Sequence, residues 1–223
     1  MKSKVFIACD TTKIEKIREI ISKTNNSKIK IGLKFGLEFL NSKIGRTYVS
    51  KIRNKTIFAD LKLHDIPNTC ASAINAIKDL KVDYLTIHIS SGLEALKAAK
   101  KVSGKIKIVG VTILTSLDNK ALKEIGFDKN VKKLVLHQAR LASKANLDAI
   151  VCSAQEIKLV KKVFKKEIIT PGIRFSSITN DQKRTLSPKQ AIANGSNWLV
   201  IGRDITKGNI KKNIKKLIDH LNR

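Results

Sequence analysis

The chain has 223 residues, with 45 Lys+Arg against 18 Asp+Glu and a formal net charge of +27. The length suits one domain and is enough for an eightfold strand–helix barrel, and 42% hydrophobic residues exclude wholesale disorder. No apolar run nears the ~20 residues that span a bilayer, residues 5–8 are too short for a signal-peptide core, and three scattered cysteines (Cys9, Cys70, Cys152) make neither a disulfide framework nor a CxxC zinc site, which gives a cytoplasmic reading.

From the N-terminus, short β-branched runs at 5–9, 29–33, 56–61, 84–88, 106–113, 149–152, 167–170 and 198–201 alternate with longer amphipathic stretches. Their near-continuous apolar character, as in Ile106-Lys107-Ile108-Val109-Gly110-Val111, suits strands of a parallel sheet covered on both faces. Between the runs, 68–80 reads as a helix capped by Asn68 or Thr69. Residues 130–145 read as another, and the fifth connection holds an extra helical piece. The last helix, 209–221, carries Ile210, Ile214, Leu217, Ile218 and Leu221 on one side and lysines on the other. Eight alternations predict a single (β/α)₈ TIM barrel domain over residues 1–223, with a doubly wound open sheet as the alternative. The polar stretch 173–187, after the seventh run, is long for a connection without secondary structure and reads as functional or disordered.

In a barrel, chemistry gathers at the C-terminal strand ends. Those ends carry Asp10, Lys34, Asp60, Lys62, His88, Thr115, Thr170 and Gly202-Arg203. The third is the most unusual: Phe58-Ala59-Asp60-Leu61-Lys62-Leu63-His64-Asp65 runs an apolar strand into four polar or charged groups. Asp60 and Lys62, two apart, are expected on one strand face. Buried charge is costly unless paired, and Lys34 at the end of the second run would complete a Lys-Asp-Lys cluster. A metal held by His64 with Asp60, Asp65 or His88 would meet two lysines in the same pocket, so no metal is expected. Thr170-Pro171-Gly172-Ile173-Arg174 and Ile201-Gly202-Arg203 end the seventh and eighth runs, where barrels often grip a phosphate with backbone N–H groups and a cation.

The charge invites a nucleic-acid reading, but only eight of the 45 basic residues are Arg, aromatics are 4%, and the lysines are spread in pairs along the chain. A solvated lysine surface is favoured over a nucleic-acid interface. A nucleic-acid module would also leave Asp60, Lys62 and Asp65 at one strand end without a reason.

Nearly the whole chain resembles the orotidine 5′-monophosphate decarboxylase family. The resemblance is carried by Asp60-Leu61-Lys62-Leu63-His64-Asp65-Ile66-Pro67-Asn68-Thr69, by Lys34-Phe35-Gly36-Leu37-Glu38-Phe39, and by similar Leu114-Thr115-Ser116, Thr170–Arg174, Asp181-Gln182-Lys183-Arg184 and Gly202-Arg203 segments. Cys9 stands where a Leu is usual. The resemblance implies a reaction without cofactor, orotidine 5′-monophosphate losing CO₂ to give uridine 5′-monophosphate, and a homodimer with shared sites. It further implies Lys62 as proton donor to C6, Asp60 beside the leaving carboxylate, Lys34 bridging ribose and charge network, and Asp65, Ile66 and Thr69 reaching the neighbouring subunit's site. Asp10 would hold ribose hydroxyls and Thr115 would lie near the pyrimidine. Arg174, Gln182, Gly202 and Arg203 would hold the phosphate, with no nucleic-acid or membrane partner. A sister group on the same barrel, Mg²⁺-dependent sugar-phosphate decarboxylases, shares Asp-x-Lys-x-x-Asp but typically has Glu where Lys34 stands.

Overall fold

The computed structural model describes residues 3–25, 28–175 and 186–222. Eight parallel strands close in sequence order into one barrel: β1 (Lys4–Ala8), β2 (Lys30–Gly36), β3 (Thr56–Leu63), β4 (Tyr84–His88), β5 (Lys107–Val111), β6 (Ala149–Val151), β7 (Glu167–Thr170) and β8 (Trp198–Ile201), with β8 returning to β1. The open-sheet alternative is thereby ruled out. Helices cover the outside, among them Ile14–Lys23, Pro67–Ile77, Leu93–Val102, Val131–Lys144 and Ile210–Asn222.

The strands are apolar almost throughout because both faces are covered. Val5, Ile7, Leu33, Phe35, Ile57, Leu85 and Ile87 point outward and pack under helix residues such as Ile17, Ile74, Leu96, Val135 and Leu217. A second cluster fills the lumen: Phe6, Ala8, Phe58, Tyr84, Val109, Ala149, Ile169, Trp198 and Val200. Phe6 stacks on Trp198 with ring centroids 4.0 Å apart, and Phe58 and Tyr84 tilt around the pair. Gly32 makes room for this plug, since a Cβ there would lie 2.6 Å from the Phe6 ring.

Some boundaries differ from expectation. The second strand continues through Lys34 to Gly36, so Lys34 is held by the strand ladder instead of following it. The helix after β3 begins at Pro67, with Ile66 at the N-cap and no side-chain cap; Asn68 and Thr69 lie inside the first turn. Proline suits the first helical position because its missing N–H has no partner to lose there. The extra helical piece in the fifth connection is Asn119–Glu124, capped by Asp118, whose side chain accepts from the Ala121 N–H.

Candidate active site

Above the aromatic plug, at the C-terminal ends of the strands, charged groups replace apolar ones. On β2, Gly32, Lys34 and Gly36 share the inward side by strict alternation; β2 and β3 are in register at Gly36 and Asp60. Lys34 Nζ lies 3.3 Å from Asp60 Oδ2 and 3.4 Å from Asp10 Oδ1, and Lys62 Nζ donates to Asp60 Oδ2 at 2.9 Å. Gly36 runs alongside this cluster, and a Cβ there would lie in ordinary contact with Lys34 Nζ at 3.6 Å. The Asp60 side chain is 12% exposed and that of Lys34 13%. Burial alone would raise the Asp60 carboxyl, but Lys34 and then Lys62 overcome it and hold Asp60 below the usual carboxylate value. Burial would likewise depress the Lys34 ammonium, yet Asp60 and Asp10 raise it above the ordinary lysine value. The cluster is therefore a fixed row of alternating charge, two ammonium groups sharing one carboxylate.

Asp60 and Lys62 meet by a different route from simple alternation. Lys62 has φ 51°, in the left-handed region, and the β3–β4 register shifts: Ala59 pairs with Leu85 but Leu63 pairs with Ile87. Three residues of β3 thus stand opposite Thr86 alone. Such a conformation in a non-glycine residue is uncommon and tends to occur at functional positions. Thr86 is fully buried; its hydroxyl accepts the Lys62 backbone N–H at 2.7 Å and donates to Asp60 Oδ1 at 3.1 Å.

The charged row borders a cavity of about 300 Å³, lined by Asp10, Lys34, Asp60 and Lys62 on one side and by Pro171, Gly172, Arg174, Gly202 and Arg203 on the other. Thr115 and the β6 end, Cys152 and Ser153, complete the wall. Gly172 has φ 72°, which frees the backbone to turn at the end of β7. Arg174 is not isolated: its guanidinium lies 3.9 Å from Asp204, whose side chain is 3% exposed and also accepts the Phe175 N–H at 2.9 Å. Among the described residues, no cluster of three or more His, Cys, Asp or Glu side chains could hold a metal ion, and no helix is long and apolar enough to cross a membrane.

Of the residues singled out in the sequence, Asp10, Lys34, Asp60, Lys62, Thr115, Arg174, Gly202 and Arg203 all line this cavity. Asp65, Ile66 and Thr69 do not; Asp65 and Ile66 are exposed between β3 and the helix that begins at Pro67, Ile66 at 65%, Thr69 is exposed in that helix's first turn, and Asp65 accepts the Ile66 N–H. Within one chain, Asp65 is thus outside the Lys34-Asp60-Lys62 row. Gln182 lies outside the described residues, as does most of 173–187. The Thr170 hydroxyl is engaged by Ser196 at 2.7 Å. His88 rests against His64, ring centroids 5.1 Å apart; burial first, then His64 and Lys62, lower its pKa. The sequence reading missed Thr86 and Asp204. The available signals were a single hydroxyl in the apolar run Tyr84-Leu85-Thr86-Ile87, and a carboxylate directly after Arg203.

The Orotidine 5′-phosphate decarboxylase / HUMPS family matches residues 3–216. The chain is 44% identical over 221 residues to the orotidine 5′-phosphate decarboxylase of Wolbachia sp. subsp. Brugia malayi (strain TRS), covering 96% of each. It is 48% identical over 181 residues to that of Ehrlichia chaffeensis (strain ATCC CRL-10679 / Arkansas), covering 78% of each. Its fold superposes on the crystal structure of orotidine 5′-phosphate decarboxylase from Lactobacillus acidophilus with a TM-score of 0.84 and 28% identity, covering 100% of both chains.

Proposed function

The chain belongs to the orotidine 5′-phosphate decarboxylase / HUMPS family, and from that premise we propose how its cavity removes CO₂ from orotidine 5′-monophosphate to leave uridine 5′-monophosphate, the last step of UMP biosynthesis. The observation that carries the reading is the Asp60 carboxylate held between the ammonium groups of Lys34 and Lys62 at one side of the cavity. As the C6–carboxylate bond breaks, its electron pair stays on C6, a carbon without an adjacent electron sink. An ammonium already fixed beside that carbon stabilises the developing charge without reorganisation and then transfers its proton, so Lys62 is the donor and UMP gains a C6–H bond. Asp60 keeps Lys62 oriented and faces the departing carboxylate.

Lys34 and Asp10 are assigned to the ribose hydroxyls and Thr115 to the pyrimidine. The backbone at Gly172 and Gly202, together with Arg203, is assigned to the phosphate; Arg174, shared with Asp204, holds that end in place. Phosphate binding far from C6 supplies energy that is used at the reacting carbon. Gln182 is assigned to the phosphate side from its sequence position alone. We further propose a cytoplasmic homodimer of single-domain barrels, in which exposed Asp65, Ile66 and Thr69 complete the partner's site; the 65% exposure of an isoleucine next to a charged turn supports an interface there. No cofactor is part of the proposed reaction.

The test is to follow orotidine 5′-monophosphate absorbance with purified protein in excess EDTA. Turnover unaffected by the chelator is expected. Turnover only after Mg²⁺ is restored, with a sugar phosphate preferred over the nucleotide, would move the chain to the sister chemistry.

A further inference from the structure

We propose that Thr86 is the positioning residue that sets the geometry of the charged row, an inference that rests on the reaction proposed above. Between the pairs Ala59–Leu85 and Leu63–Ile87, three residues of β3 face one residue of β4. The regular ladder cannot serve all three, and Lys62 sits at φ 51° where its N–H is turned out of it. The Thr86 hydroxyl takes that N–H at 2.7 Å, replacing the missing ladder bond. A hydroxyl has one hydrogen and two lone pairs, and here the hydrogen goes to Asp60 Oδ1 at 3.1 Å.

The two oxygens of Asp60 therefore have separate duties. Oδ2 receives both ammonium groups, from Lys34 at 3.3 Å and from Lys62 at 2.9 Å, and Oδ1 receives Thr86. The hydroxyl stops the carboxylate from rotating, and the same atom fixes the backbone from which the Lys62 side chain springs. One fully buried oxygen thus ties the donor lysine to the acid that aims it. Thr86 is not among the residues lining the cavity, so it acts only through Asp60 and Lys62. A threonine, unlike a serine, is also stiff about χ1.

The experiment compares Thr86→Val, which keeps the shape and removes the hydroxyl, with Thr86→Ser, which keeps the hydroxyl and removes the methyl. Two quantities are read in the full chain: kcat and KM for orotidine 5′-monophosphate, and the ¹³Cγ titration of Asp60 in the ligand-free protein. In Thr86→Val, kcat is expected to fall about 10- to 100-fold, the weight of one hydrogen bond to a charged group. KM should change by less than about threefold, because substrate contacts are untouched. The Asp60 midpoint should rise, because one donor to the carboxylate is gone while Lys34, Lys62, Asp10 and His88 still surround it. Thr86→Ser should restore kcat to within about threefold of wild type. Should Thr86→Val fail to fold, Thr86→Cys, with a weak donor of similar size, carries the same expectations. Wild-type kcat and an unmoved Asp60 midpoint in the Val or Cys variant would overturn the proposal, as would a Ser variant no better than Val. If the wild-type protein does not turn over the nucleotide, the decarboxylase reading falls by itself, and the titration still decides whether Thr86 governs Asp60.

Discussion

The barrel carries a lysine–carboxylate cluster at each end, built from the same residue types and put to different use. At the C-terminal end, Asp60 is shared by Lys34 and Lys62 beside an open cavity. At the N-terminal end, Glu167 accepts from Lys107 at 3.1 Å and from the Tyr84 hydroxyl at 2.8 Å, and lies 4.0 Å from Lys4. Lys4 and Lys30 also sit over the Trp198 ring, 5.6 and 5.7 Å from its centroid. The lower cluster caps a filled aromatic plug; the upper one borders empty space. Ion pairs of this kind contribute little net stability. Their chemistry depends on what they face: at the top, a fixed charge meets a space that a substrate can enter. At the bottom, the same charges close off the end of a packed lumen.

The contrast can be broken most sharply with the lysines. Lys62→Ala should lower turnover by at least about 1,000-fold, since proton donation and charge stabilisation are both lost, while Lys107→Ala should leave kcat and KM near wild type. A steady-state assay of both purified variants, with thermal melts to show folding, checks this; equal losses would erase the distinction. The acids come next. Asp60→Asn leaves two ammonium groups facing each other without their shared anion and should cost about 10²- to 10³-fold in kcat. Glu167→Gln should leave kcat unchanged and lower stability by about 1 kcal/mol or less, since the amide oxygen still accepts from Lys107 and Tyr84 and only the charge is lost, read as a lower urea midpoint.

The smallest expected effect concerns pH, and here the ends oppose each other. Asp60 is depressed by its two lysines despite burial, so its contribution to stability is present above the ordinary carboxylate value and is lost as pH falls through its lowered value. Tyr84 is pushed up to about 12 by burial and by Glu167, so its contribution is full below the ordinary tyrosine value and is lost as pH rises toward about 12. Tyr84→Phe should therefore flatten the alkaline limb of the melting-temperature profile and leave the acid limb alone. An unchanged alkaline limb would remove Tyr84 from the lower cluster's pH response.

Most of the scaffold could be read directly because parallel strands covered on both faces leave an unbroken apolar signature; the eight runs at 5–9 through 198–201 fall within a few residues of the observed strands. The row Lys34, Asp60, Lys62 was legible because charge at the end of a buried strand stands out against its neighbours. Thr86 was not, since a lone hydroxyl in an apolar run has no periodicity to mark it, and neither was Asp204, whose partner N–H at Phe175 lies 29 residues away in the chain. Nor could the left-handed turn at Lys62 be foreseen, because it comes from a register shift between two strands, and local sequence does not record the partner. The cap at Asn68 or Thr69 was misplaced for a related reason: Pro67 tolerates the first helical position so well that the helix starts earlier.

The glycine at position 32 has a consequence that reaches the reaction chamber. Phe6 occupies the volume that any larger residue there would claim, and it is stacked on Trp198, next to Phe58, which itself lines the cavity. A methyl group added on the second strand would lift the ring stack like a shim under a floorboard. Pocket depth would then change although no residue touching the nucleotide had been altered. How far a ligand sinks is governed from below, by a side chain that is not there.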